Sequence, residues 1–164
     1  MHVTALARVS GTLAAALFGI AVPVFAQGYA VRGGANVNPG QVYGGAQYAM
    51  APIWENLRPT PSVDVAFGND ATLVAMNMDL LLRSRGLGRR SVWTALVGGG
   101  PAINHYRLPL NTETVLGINA VAALSHASGW FSEFRLGFLE SPGVRFGVGY
   151  QWTPRAGPSR PRRP

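Results

Sequence analysis

The sequence contains no cysteine and no lysine. Without cysteine there is no disulfide framework, the usual reinforcement of a small exported domain with a thin core. Something else must hold such a chain together. All 14 cationic side chains are arginine, against 7 acids. That excess resembles a nucleic-acid footprint, but its placement argues against nucleic acid as a partner. Arg155, Arg160, Arg162 and Arg163 crowd into the proline-rich end 153–164, and Arg8 lies in the first segment. Between positions 27 and 152, nine arginines meet seven acids, which is near balance. Long apolar runs are also scarce. The run at 13–24 has no second of its length, and it falls short of the roughly 20 residues a spanning helix needs. Sustained 3.6-residue apolar periodicity is missing, which leaves strands as the organising element.

The first segment does carry a pattern of its own. His2 and Arg8 give a weakly basic start, the apolar run follows, and Val24-Phe25-Ala26 closes it with small residues flanking a large one. This layout predicts a secretory signal peptide, 1–26, cleaved after Ala26. One domain follows, 27–152, and then an Arg/Pro-rich tail, 153–164, whose composition predicts a solvated, disordered segment. Contact of that tail with anionic phospholipid or peptidoglycan is the alternative.

The most regular stretch is Val144-Arg145-Phe146-Gly147-Val148-Gly149-Tyr150-Gln151-Trp152. Its even positions are large and apolar, while its odd positions are polar or lack a side chain. A period of two places these sets on opposite faces of a strand. Seven further strands are predicted at 29–36, 41–50, 62–68, 72–82, 91–106, 114–125 and 130–140, each bounded by turn chemistry such as Asn38-Pro39-Gly40 or Ser141-Pro142-Gly143. The prolines of 51–61 predict a connection that cannot continue a ladder, with room for a short helix in 51–57. Gly98-Gly99-Gly100 predicts a bend or bulge in the fifth strand. An even number of strands, most of roughly 9–11 residues, fits an all-β, eight-stranded antiparallel up-and-down transmembrane β-barrel.

Alternation also sorts the charges. Arg32, Asp64, Asp79, Glu133, Arg135 and Arg145 share the face opposite the apolar one, padded by Gly34, Ala66, Gly117 and Gly137. The glycines of the second and fifth strands leave the facing of those two open. A solvent face should be crowded with long flexible charges. Three acids against three arginines among small residues instead suit the narrow interior of an eight-stranded barrel, where charges must be paired. Such a lumen should pass no more than trickles of small ions. The aromatics predict two girdles. Tyr29, Tyr48, Trp93, Trp130 and Trp152 fall at one rim, with Trp54 in an adjacent turn. Tyr43, Phe67, Tyr106, Phe138 and Phe146 fall towards the other. Tyr29, Trp93, Trp130, Tyr150 and Trp152 are the candidate membrane-interface residues.

With Val42-Tyr43-Gly44-Gly45, Leu96-Val97-Gly98-Gly99-Gly100, Phe131-Ser132-Glu133-Phe134-Arg135-Leu136-Gly137 and the final strand, the chain resembles the small eight-stranded outer-membrane β-barrel proteins of Gram-negative bacteria. The resemblance implies a cell outer-membrane location, outer-membrane lipid as surroundings, and insertion by the barrel-assembly machinery, with Trp152 as the terminal aromatic of the assembly signal. It departs from the family in the twelve residues after Trp152 and in its short turns.

The expected function is non-enzymatic, a structural, envelope-integrity or surface-interaction role, for a monomer without cofactor or metal. Two alternatives stand beside it. His126-Ala127-Ser128 resembles the His-x-Ser of an outer-membrane lipid A deacylase, with Glu133 or Glu140 as the acid. The asparagine that follows the serine in that family is Gly129 here, and a β-turn accounts for all four residues. A soluble periplasmic lipocalin-like barrel with its apolar face inward and a hydrophobic ligand inside is the other. His105 beside Glu113 lacks a second ligand at metal spacing.

Overall fold

The computed structural model describes residues 28–68, 70–84 and 91–152. The predicted signal peptide, 1–26, and tail, 153–164, lie outside the described residues. Eight strands follow one another: β1 (Gly28–Asn36), β2 (Gln41–Ala49), β3 (Leu57–Gly68), β4 (Ala71–Arg83), β5 (Trp93–Arg107), β6 (Thr112–His126), β7 (Trp130–Leu139) and β8 (Val144–Trp152). Each pairs antiparallel with the next, and β8 returns to β1 through a ladder from Tyr29↔Trp152 to Asn36↔Arg145. The result is a closed up-and-down barrel. Closure leaves no free sheet edge along the shared part of the wall, so the backbone bonding of the ring holds together a chain that has no disulfide. Following the pairing around the ring returns to β1 displaced by about ten residues, so the strands are strongly tilted.

The connection before β3 differs from the expectation. No helix forms in 51–57. A tight turn does, in which Ile53 N–H donates to Leu57 C=O at 3.0 Å and Leu57 N–H to Trp54 C=O at 3.1 Å. β3 then begins at Leu57 and takes Pro59 and Pro61 into its ladder with β4. The prolines are tolerated because of which way they point. Pro59 C=O accepts from Met50 N–H at 3.0 Å, so the backbone groups of residues 59 and 61 look towards β2. On that side β3 is paired only from Ser62 onward, and no ladder bond is lost.

Gly98-Gly99-Gly100 makes no bulge. Asn77↔Ala102 and Leu80↔Gly99 lie on one register line, so no residue is inserted, although the two pairs between them drop out of the ladder. The glycines are needed for close approach. A Cβ on Gly98 would strike the carbonyl oxygen of Leu80, one on Gly100 that of Met78, and one on Gly99 that of Asn119.

The faces of all eight strands are now fixed. In β2, Gln41, Tyr43 and Ala49 are buried inside while Val42 and Tyr48 lie on the outer wall. In β5, Ala102 and Asn104 are buried and Val97 and Ile103 exposed. Two aromatics expected at the far rim are therefore misplaced there. Tyr43 and Tyr106 sit on inward-facing positions, and Tyr43 packs with Ala66, Leu73 and Ala75 in a small apolar cluster that Tyr106 joins.

Candidate functional site

The outer wall is apolar and open. Phe146 is 53% exposed, Val148 61%, Trp130 59% and Phe138 52%. The interior is polar and closed, with Arg135 at 2%, Asp64 at 1% and Arg145 at 3%. This is the reverse of a soluble protein, where large apolar groups go inside and unpaired charges stay out.

The structure brings the six predicted lumen charges into one network. Arg32 on β1 donates to Asp64 through Nε and Nη2 at 2.9 and 2.7 Å, and to both oxygens of Glu133 through Nη1 at 2.9 Å. Arg135, two residues along β7 from Glu133, donates to it at 3.2 Å and to Asp79 on β4 at 2.8 Å. Arg145 on β8 reaches Asp64 at 2.8 Å and lies 4.9 Å from the Tyr43 ring centre. Three guanidiniums and three carboxylates thus cancel inside a wall that admits little water. Buried pairs of this kind bring little net stability over an apolar core, but loss of one partner is severe.

Uncharged groups complete the lattice, and most of them the alternation did not single out. Arg32 also donates to Gln47 and Ser62 at 2.9 Å. Asn77 donates to Ser62 and Asp64 at 3.2 Å, and Asn119 to Asn77 at 2.8 Å. Arg145 donates to Asn36 at 2.9 Å, and Asn36 to Gln41 at 3.1 Å. Gln41 and Gln47 carry no such signal, because the glycines of β2 hide its parity. Only three buried side-chain atoms in the described residues lack a partner: Tyr43 OH, Asp79 Oδ1 and Arg135 Nη1. The glycine padding has a definite use here. A Cβ on Gly45 would collide with Asp64, one on Gly147 with the Tyr43 hydroxyl, and one on Gly149 with the Phe131 ring.

The lumen is also capped. Leu139 adopts a left-handed backbone, φ 59°, which turns the β7–β8 connection inward. Ser141 and Pro142 are buried as a result. Asn104 on β5 donates to Glu140 C=O at 3.0 Å and to Ser141 Oγ at 3.2 Å, and Tyr106 OH donates to Glu140 C=O at 3.2 Å. Nothing in local sequence distinguishes this inward turn from an outward one, because its partners lie about 35 residues earlier in β5.

On the outer wall, Tyr29, Tyr48, Trp93, Trp130, Tyr150 and Trp152 occupy the end where β1 begins and β8 stops, the terminal end. Ring centres lie 4.9 Å apart for Tyr29 and Tyr48, 5.4 Å for Trp130 and Tyr150, and 5.1 Å for Tyr150 and Trp152. Trp93 stacks edge-on against His126 at 4.7 Å.

His126 Nδ1 lies 2.7 Å from Ser128 Oγ and accepts from Ser128 N–H at 3.2 Å, while Gly129 N–H donates to His126 C=O at 3.0 Å. These bonds describe a side-chain-closed turn. Neither suggested acid joins it. The Glu133 carboxylate is engaged by Arg32 and Arg135, and Glu140 lies at the far end. His105 Nδ1 contacts Thr114 Oγ1 at 2.8 Å. Among the described residues, no group of three or more His, Asp or Glu side chains is placed to hold a metal ion.

Compared with protein-family models, curated proteins and solved structures, the chain matches none.

Proposed function

We propose that this protein is an integral β-barrel of the bacterial outer membrane, exported through a cleaved signal, with a structural or interaction-based role and no catalytic site. One observation carries the reading: the barrel is inside out. A charge-balanced network is buried within it, and an apolar wall faces outward. In water such a wall would exceed the few hundred Å² of contiguous apolar patch that monomers tolerate. In lipid it is the required surface, and closure pairs every strand with a neighbour on both sides. A lipocalin-like reading requires the opposite facing. Trp152, the aromatic that ends β8 beside Tyr29 of β1, is the residue we assign to recognition by the assembly machinery.

The filled lumen argues for an anchor rather than a channel, with surface interaction left to the rims and turns. The test is fractionation with gel migration. The protein should pellet with membranes, need detergent for release, and run differently folded and boiled. Release without detergent, with one band in both conditions, contradicts the reading. Planar-bilayer recordings should show no steady open state.

The hydrolase reading draws on the 2.7 Å His126–Ser128 contact alone. Ser128→Ala should leave lipid A acylation unchanged in cells. A loss of deacylation in that variant would restore the enzyme.

A further inference from the structure

The strands are staggered, so some stretches run past the strand that flanks them. Two matter here: the start of β3 at the terminal end and the start of β6 at the far end. Their open sides are finished differently. Along the start of β3, Pro59 and Pro61 carry no N–H. Ile53 N–H donates to Leu57 C=O and Met50 N–H to Pro59 C=O, each at 3.0 Å. Proline and a covering turn are devices that keep another strand from adding to an edge. The start of β6 has neither. β6 pairs with β5 along its whole length, in an unbroken register, but with β7 only from Gly117 onward. Thr112, Glu113, Thr114, Val115 and Leu116 therefore form an open edge with no proline, bulge or cation, and rich in residues that favour strands.

Parity sets which backbone groups are free. The Asn119 C=O is directed at Gly99 of β5, where an added Cβ would meet it. Successive residues turn their backbone groups to opposite neighbours, so Thr112, Thr114 and Leu116 turn theirs to the open side. Thr112 N–H donates to Asn111 Oδ1 at 2.8 Å. The N–H and C=O of Thr114 and of Leu116 are left for a partner. Acids also outnumber cations here. Glu113 lies on the edge and is exposed. Tyr106, opposite Glu113 in the ladder, donates to Glu140 C=O at 3.2 Å, which brings a second exposed acid alongside. Arg107 is the one arginine in β5 and β6. We propose that this edge is a docking surface for an extended, cationic segment of a partner protein, which adds as a further strand beside β6. Its backbone pairs with Thr114 and Leu116. A basic side chain faces Glu113 on one face, and an apolar or β-branched one meets Leu116, 70% exposed, on the other. Pairing with a second copy would instead bring two acidic edges together. The proposal deepens the surface-interaction role above. It rests on the membrane reading only in that an open edge must stand clear of lipid.

The probe is a fluorescein-labelled peptide of alternating arginine and valine with blocked ends. It is titrated onto the full chain folded in a zwitterionic detergent. The expected result is saturable binding, with slowed exchange of the Thr114 and Leu116 amides. The same peptide with methylated backbone nitrogens keeps its charge but loses its donors, and should not bind. A peptide with glutamate in place of arginine should not bind either. Thr114→Pro removes an open-side donor without touching the β5 ladder, and should weaken binding about tenfold. Glu113→Gln should weaken it several-fold and flatten its dependence on salt. Heat-modifiable migration checks that each variant is folded, and the methylated peptide decides on the parent chain alone. Equal affinity for the methylated and unmethylated peptides, or no saturable binding of either, overturns the proposal. Self-association that Thr114→Pro abolishes and the peptide does not compete overturns it in favour of a second copy. Both of these results leave the membrane reading standing. Release of the chain without detergent contradicts the membrane reading, and the same titration in buffer then decides the edge on its own.

Discussion

Asp64 is the hub of the lumen. It accepts from Arg32 twice, from Arg145 and from Asn77, whereas Asp79 accepts from Arg135 alone and keeps one oxygen unpartnered. Asp64→Ala leaves two buried guanidiniums short of charge and should destabilise the barrel by about 3–5 kcal/mol. Asp79→Asn keeps the shape and leaves Arg135 with Glu133 as its counter-charge, so its effect should be smaller. Urea midpoints of the folded barrel in detergent rank the two, and equal shifts would mean the network is not organised around Asp64. At this scale the sequence was most informative where alternation was clean. Arg32, Asp64, Asp79, Glu133, Arg135 and Arg145 all announce their face through large apolar neighbours at every second position. Tyr43 did not. Gly44 and Gly45 carry no side chain to show which way β2 faces, and an aromatic near a strand end reads equally well as part of a girdle on the outer wall. Its place inside the wall, with the Arg145 guanidinium over its ring, depends on Gly147 in β8, and no local pattern reveals that. Gly147→Leu should force Tyr43 aside and cost about 1–3 kcal/mol, measured in the same assay.

Strands were legible as elements because their turns are written in proline, glycine and asparagine. The exception is β3, where two prolines read as a stop. They lie inside the strand because both point their missing donor away from β4, towards the stretch that β2 leaves unpaired. Parity here has a sharp consequence. Thr60 lies between them with its backbone turned to β4, so Thr60→Pro should cost about 3 kcal/mol or more although prolines flank it on both sides. A midpoint unchanged from the parent would show that this ladder contributes nothing. The inward β7–β8 turn is the second element that local sequence does not reveal. Its anchors, Asn104 and Tyr106, are distant in the chain. Asn104→Ala should weaken the fold by roughly 1 kcal/mol for the lost hydrogen bonds. It should also raise the exchange rate of the Ser141 amide, read by hydrogen exchange.

For the whole molecule, the decisive property is which side of the sheet is apolar. Closure of eight strands is a matter of backbone bonding, while the facing decides the solvent. A sheet with the same hydrogen bonds and its faces exchanged would be a soluble barrel with an apolar cup. The short turns and the neutral lumen are each consistent with a lipid-embedded body whose contacts are made at its rims. Val148 is the middle residue of β8 and lies on the outer wall, so Val148→Arg should cost about 2–4 kcal/mol in a bilayer while being nearly neutral on a water-facing surface.

The most direct test of the facing is a nitroxide at Val148→Cys, the only thiol in the chain, on the outer wall two residues from Phe146. In vesicles, a lipid-facing Val148 predicts collision with dissolved oxygen and shielding from a water-soluble nickel chelate, while a label at Leu110→Cys, fully exposed in the β5–β6 turn, shows the reverse. Equal access of the nickel chelate to both positions would place the apolar wall in water and contradict the account.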